Sequence, residues 1–114
     1  MATFVKGDVV VVPFPFSDLS DSKRRPALVL ADLSGDDIVL CQITSQFSKD
    51  SSAVFLTDSD FINGALKADS CIRPNRLFTA DKRIIAYKAG TISAVKQQEV
   101  FNILTDLLKP DQSV

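Results

Sequence analysis

The stretch Lys23-Arg24-Arg25-Pro26-Ala27-Leu28-Val29-Leu30 decides how we interpret the fold. Three cationic residues lead through a proline into an apolar run, and this pattern predicts a buried strand from Pro26 to Leu30. Proline cannot donate a hydrogen bond to a neighbouring strand, so we expect Pro26 where the strand begins or on an edge. The residue before a proline is held extended. The stretch therefore predicts fixed positive charge at one end of a core strand.

Apolar runs on both sides of this stretch predict further strands. Four successive valines, Val9 to Val12, indicate a strand that is buried on both faces or rolled into a barrel. The run Ile38 to Thr44 follows the turn Ser34-Gly35-Asp36-Asp37, and this spacing predicts an antiparallel hairpin with the strand after Pro26. Thr57 to Gly64 predicts a turn or a short helical piece. Shorter strands are expected at residues 53–56, 70–73 and 77–79.

The pattern becomes helical near the end of the chain. Ser93 is a suitable N-cap, and Lys109-Pro110 is expected to end the helix. The apolar residues that fall on one helical face are Val100, Ile103, Leu104, Leu107 and Leu108. About six short strands followed by one helix predict a mainly β fold, a small barrel or curled sheet with a C-terminal α-helix packed on it. At 114 residues, we expect one domain spanning residues 1–114.

Composition limits the classes of function that are open to this chain. The net charge is −1, which argues against wholesale wrapping of nucleic acid and leaves room only for a local basic patch. There is no histidine, so the usual general base and every Ser-His or Cys-His nucleophile are excluded. Cys41 and Cys71 lie in apolar runs, which predicts buried free thiols in a reducing, cytoplasmic setting. The sequence offers too few zinc ligands and no membrane segment, so we expect no metal, no cofactor and no membrane partner.

Arg25 and Thr44 form the first candidate site. In the predicted hairpin, Arg25 before one strand comes opposite the end of the next strand, near Thr44. A guanidinium group and a hydroxyl group at one sheet edge can hold and polarise a phosphodiester. The alternative is a solvated loop end whose charges keep the chain soluble.

A second cationic cluster follows at Arg73-Pro74-Asn75-Arg76, with Lys82-Arg83 beyond it. Phe78 lies between the two groups of charges, where it suits either stacking on an unpaired base or packing in the core, and we favour the core. The aspartates at positions 18, 21, 36, 37, 58 and 60 are scattered in turns, so we interpret them as turn residues and not as a metal site.

Four motifs, taken together and in order, resemble the MazF/PemK toxins of bacterial type II toxin-antitoxin pairs. The resemblance covers nearly the whole chain, and Gly90-Thr91-Ile92-Ser93 before the helix also fits. The motifs are Lys6-Gly7-Asp8-Val9-Val10, Arg25-Pro26-Ala27-Leu28-Val29-Leu30, Ile43-Thr44-Ser45-Gln46, and Ser70-Cys71-Ile72-Arg73 through Thr79-Ala80-Asp81-Lys82.

The resemblance implies the SH3-like barrel of plasmid-maintenance toxins, a homodimer and a cognate antitoxin partner. It also implies a metal-independent endoribonuclease that cuts single-stranded RNA at a short sequence. Arg25 and Thr44 match the family's catalytic arginine and threonine. The residues that resemble RNA contacts are Lys23, Arg24, Ser45 and Gln46, and we add Arg73 and Arg76 from the second cluster. The residues that resemble a lid over the groove are Ser17, Asp18, Asp21 and Ser22.

Two departures from the family leave the general base unassigned. Some members carry Arg-x-Asp where this chain has Arg73-Pro74-Asn75, and an amide cannot accept the proton. The loop after the first strand lacks a glutamate found elsewhere in the family, with Asp18 or Asp21 as stand-ins. Two other functions stay open: a barrel toxin that binds a protein target such as gyrase without catalysis, and a nucleic-acid-binding module. The terminal residues 111–114 lack the apolar tail that we expect of the first.

Overall fold

The computed structural model describes residues 3–14, 23–46 and 50–111. Within these ranges the chain forms seven strands and one α-helix, with two short 3₁₀ turns at Asp58–Asp60 and Lys82–Ile84. The strands are β1 Asp8–Phe14, β2 Lys23–Asp32, β3 Asp37–Thr44, β4 Val54–Leu56, β5 Phe61–Gly64, β6 Ser70–Asp81 and β7 Tyr87–Ile92, and the helix is α1 Ala94–Leu108.

All strands belong to one antiparallel sheet, in the order β4-β6-β3-β2-β1-β7-β5. The sheet is curled into a half-barrel and the helix follows it, which confirms the predicted mainly β fold with a C-terminal helix. No helix in the described ranges is long and apolar enough to cross a membrane.

Both faces of the sheet are buried at its centre. On the helix face, Val9 and Leu28 pack in one core cluster with Val100 of α1. On the other face, which we call the Phe4 face, Val10 and Val12 pack in a second cluster with Phe4. Successive valines of β1 thus enter opposite cores, as expected for a strand that is buried on both sides.

The helix begins and ends as predicted, with Ser93 as its N-cap and Lys109 as its C-cap. The Ser93 Oγ accepts a hydrogen bond from the backbone N–H of Lys96 at 3.2 Å, which confirms the N-cap. Of the residues predicted to share one helical face, Val100 is buried, whereas Leu107 and Leu108 are exposed. An open groove of about 740 Å³ lies between α1 and β2, and helix residues from Ala94 to Lys109 line it.

Pro26 lies inside β2 and pairs with Val11 of β1, so the prediction that it begins the strand is wrong. The pairing of β2 with β3 starts at Ala27, one residue later. At Pro26 the strand therefore has a neighbour on one side only, which is the edge-like position that proline tolerates. The second half of the predicted turn at residues 57–64 is also different, because Phe61 to Gly64 forms β5 against β7.

Candidate functional site

The predicted hairpin of β2 and β3 is present, and its pairing ends at Ala27 and Gln42, two residues short of Arg25 and Thr44. Ala27 of β2 pairs with Gln42 of β3, and continuing this antiparallel register by two residues sets Arg25 opposite Thr44. Side chains that alternate along β2 place Arg25 on the same face as Ala27, which is the Phe4 face. The two residues that the sequence proposes for chemistry therefore follow the same end of the β2–β3 ladder on one face of the sheet.

A bulge at Leu30 sets this register. Nearer the turn, Asp32 pairs with Ile38, but beyond the bulge the partners shift by one residue. The extra residue in β2 is the reason that Arg25 lies further from the turn along the chain than Thr44 does. Without the bulge, the register would set Arg25 opposite a different residue.

Thr44 is buried at the end of β3, and its hydroxyl oxygen accepts a hydrogen bond from the Gln46 backbone N–H at 3.1 Å. This contact uses a lone pair and leaves the hydroxyl proton available to donate. The side chain is thus oriented by the turn that follows it. A phosphate oxygen placed above Arg25 and Thr44 could accept from both.

The cationic residues at the start of β2 divide between the two faces. Successive side chains of a strand point to opposite faces. Lys23 and Arg25 therefore lie on the Phe4 face, and Arg24 lies on the helix face. Within the described ranges, no carboxylate forms an ion pair with any of the three.

β6 adds a third cation to this surface. Arg73 pairs with Gln42, the residue that lies between Thr44 and the core on the Phe4 face. Its Nε donates to the Asp50 carboxylate at 3.4 Å. The β3–β6 register shifts between Arg73 and Leu77. Arg76 lies in this unpaired segment of β6 and is exposed. Arg73 is thus near Thr44, and Arg76 lies on the irregular segment beside it.

The family model for PemK-like, MazF-like toxins of type II toxin-antitoxin systems matches residues 5–108. The chain belongs to this toxin family. No curated protein sequence matches this toxin.

Solved structures share the fold of the toxin at low sequence identity. The MazE-MazF complex of Deinococcus radiodurans has a TM-score of 0.74 at 23% identity, covering 94% of this chain and 97% of that one. Toxin MazF-mt6 of Mycobacterium tuberculosis has a TM-score of 0.72 at 15% identity, covering 91% and 98%. An endoribonuclease in complex with its cognate antitoxin from a mycobacterial species has a TM-score of 0.73 at 14% identity, covering 95% of both chains.

Other predicted residues of the toxin fall in different places. Ser45 and Gln46 are exposed just after Thr44. The proposed lid residues Ser17, Asp18, Asp21 and Ser22 lie outside the described residues. Phe78 is half-buried against the core of the Phe4 face, which confirms the core alternative.

The distant cations Lys82 and Arg83 take no part in the site. They lie just beyond the far end of β6, where Lys82 pairs with Asp32, and Arg83 pairs with Asp81 at 2.6 Å. Arg83 holds the pKa of the Asp81 carboxyl down to about 2. These charges stabilise the turn that follows β6.

Three residues near the site were missed by the sequence analysis. Gln42 pairs with Arg73 across β3 and β6, and Asp50 accepts a hydrogen bond from Arg73. Phe55 of β4 pairs with Cys71 of β6 and is largely exposed. Alternation along β4 could have identified Phe55, because Val54 and Leu56 on either side of it are buried. Nothing in the local sequence indicates the contact between Asp50 and Arg73.

The buried cysteines contribute packing and no nucleophile. Cys71 pairs with Thr44 across β3 and β6, and burial raises the pKa of its thiol. Burial raises the pKa of Cys41 to about 12. Because the thiolate is the reactive form, both side chains are protonated and inert at neutral pH. This agrees with the prediction of buried free thiols.

Proposed function

We propose that this toxin is an endoribonuclease that cleaves single-stranded RNA at a specific sequence, using the 2′-hydroxyl group of the RNA as the nucleophile. The observation that carries the proposal is the β2–β3 register, which, when extended two residues beyond Ala27 and Gln42, sets Arg25 opposite Thr44 on the face that also holds Arg73. Membership of the toxin family supports it, as do solved neighbours that are endoribonucleases.

The proposed reaction needs a positioned phosphate and little else from the protein. The 2′-oxygen forms a bond to the adjacent phosphorus while the bond from phosphorus to the 5′-oxygen breaks. The 2′-hydroxyl loses its proton and the departing 5′-oxygen gains one, which yields a cyclic phosphate and a 5′-hydroxyl end. Negative charge increases on the phosphate oxygens, and the Arg25 guanidinium and the Thr44 hydroxyl stabilise it. The residues assigned to RNA binding are Lys23, Arg24, Ser45, Gln46, Arg73 and Arg76.

Two polar groups beside the site are poorly suited to act as general base. Asn75 carries an amide, and the Ser52 backbone N–H and Arg73 lower the pKa of the Asp50 carboxyl. A carboxylate with a lowered pKa is a weaker proton acceptor at neutral pH. The roles of Arg25 and Thr44 therefore do not depend on either group.

The activity is tested by incubating the purified toxin with a long RNA in EDTA and sequencing the cut ends. We expect cleavage at one short recurring sequence, with cyclic phosphate and 5′-hydroxyl ends. Uncut RNA would contradict the proposal and leave a toxin that binds a protein target or a module that only binds nucleic acid.

We also propose that the toxin is a homodimer and that α1 forms part of the contact. The groove between α1 and β2 is lined mainly by apolar side chains, including Leu30, Leu104 and Phe101. Phe101 is 60% exposed in the single chain. A contiguous exposed apolar surface usually marks a site that binds another molecule.

Replacing Phe101 with glutamate is expected to give a monomer, because a charge would then be buried in the contact. The measurement is the mass by light scattering at micromolar concentration. The matched control is Val95→Glu, since Val95 is 80% exposed on the same helix and does not line the groove. A monomeric mass for the unaltered toxin, or a dimeric mass for Phe101→Glu, would contradict the assignment.

An antitoxin is the second proposed partner, and the cytoplasm is the proposed location. Two of the solved neighbours described above are complexes with an antitoxin. An antitoxin that covers the cationic Phe4 face would block access of RNA, so its addition is expected to stop cleavage in the same assay. Buried free thiols suit a reducing compartment.

A further inference from the structure

Asp50 and Arg73 form an ion pair across 23 residues of sequence. The Asp50 Oδ2 lies 3.4 Å from the Arg73 Nε, and the side chains are only 11% and 19% exposed. An ion pair that is largely removed from water holds its geometry better than one on the surface. The pair therefore links the segment after β3 to the middle of the proposed RNA surface.

The Asp50 carboxylate is fixed by contacts of its own. Its Oδ1 accepts a hydrogen bond from the Ser52 backbone N–H at 2.9 Å, and the Asn75 side chain also donates to it. The first contact closes a turn of the kind that aspartate and asparagine both form. One carboxylate oxygen therefore anchors the turn and the second is directed at Arg73.

The contact engages only one of the donors of Arg73. A guanidinium group has five N–H donors, of which the Nε carries one and the two terminal nitrogens carry four. Asp50 accepts from the Nε, and among the described residues no acceptor lies within hydrogen-bond distance of the terminal nitrogens, which can face a phosphate. Arg73 pairs with Gln42, and the next pair on the same face of β3 and β6 is Thr44 with Cys71. The terminal nitrogens are thus held near the proposed reaction centre.

We propose that Asp50 is a positioning residue that holds Arg73 by its Nε so that the terminal nitrogens bind a phosphate of the RNA beside the one that is cleaved. This rests on the proposed function. Asp50 itself does not contact the reacting atoms. It supplies a carboxylate to Arg73 from another part of the chain, whereas the neighbouring Asn75 carries none.

A positioning role and a purely electrostatic role predict opposite changes in RNA binding. Removing a negative charge near RNA should strengthen binding if charge alone matters. If Asp50 positions Arg73, its removal should weaken both binding and cleavage, because the freed guanidinium group samples many orientations. The sign of the change in affinity therefore separates the two roles.

The test uses Asp50→Asn, which keeps an oxygen for the Ser52 N–H and removes the charge that Arg73 requires. We expect kcat/KM for RNA cleavage to fall by about 10- to 100-fold. We expect weaker binding of a 2′-O-methyl RNA that contains the mapped cleavage sequence and cannot be cut. The melting temperature should change little, and Asp50→Glu should recover part of the activity. The matched control is Asp106→Asn, an exposed acid on α1, which should cleave as the unaltered toxin does.

A double-mutant cycle links the effect to Arg73. Asp50→Asn should have no further effect in an Arg73→Ala background, because the group that it positions is gone. Additive losses, unchanged cleavage by Asp50→Asn, or tighter binding of the 2′-O-methyl RNA would each overturn the proposal. Failure of the unaltered toxin to cleave RNA would contradict the proposed function instead. Binding of a 2′-O-methyl RNA of mixed sequence by the unaltered toxin and by Asp50→Asn would then decide whether Asp50 positions Arg73.

Discussion

Replacing Arg25 with alanine is expected to slow RNA cleavage by about 100- to 1000-fold, the usual cost of losing one preorganised donor to a developing negative charge. The extended β2–β3 register sets Arg25 opposite Thr44 on the Phe4 face, and no carboxylate among the described residues forms an ion pair with its guanidinium group. The loss should appear in kcat, because the charge that Arg25 stabilises increases in the transition state. Single-turnover cleavage of an RNA that contains the mapped sequence measures it directly.

Two further variants sharpen the assignment of Arg25. Arg25→Lys keeps the charge but loses the planar, two-pronged donor geometry, so we expect a loss smaller than for alanine but still large. Arg83→Ala removes an exposed arginine that pairs with Asp81 at the far end of β6, and it should cleave normally. Undiminished cleavage by Arg25→Ala would remove this residue from the mechanism.

Much of this fold follows from local sequence patterns. The valines of β1 predicted a strand with two buried faces because no polar residue interrupts them. Ser93 predicted the start of α1 because its side chain can cap only a helix that begins beside it. The sequence could predict that Arg25 and Thr44 lie at the same end of the sheet because both belong to one hairpin with a recognisable turn.

The features that sequence could not predict depend on contacts between distant segments. Asp50 meets Arg73 because a register shift in β6 after Arg73 aligns that residue with Gln42. Such a shift leaves no periodic signal. Leu107 and Leu108 continue the apolar face of α1, but both are exposed in the single chain. Periodicity identifies an apolar face and does not say what covers it.

Asp8 is expected to be the most costly of the buried polar residues to remove. It is completely buried at the start of β1, where its Oδ2 accepts a hydrogen bond from the Val5 backbone N–H at 3.0 Å. Its Oδ1 accepts from the Thr91 hydroxyl at 2.9 Å and lies 3.3 Å from the Lys88 Nζ. One carboxylate thus joins β1 to β7 and to the turn that precedes β1.

Asp8→Ala is expected to lower the free energy of unfolding by about 1–3 kcal/mol, because the buried Thr91 hydroxyl and the Val5 backbone N–H would lose their acceptor. That is a large part of the stability of an ordinary domain. Urea denaturation at neutral pH measures it. Asp8→Asn should lower the free energy of unfolding less, since an amide oxygen can still accept from one donor. Asp58→Ala should leave the free energy of unfolding nearly unchanged, because Asp58 is exposed. If Asp8→Ala is as stable as Asp58→Ala, then the carboxylate does not hold β1 and β7 together.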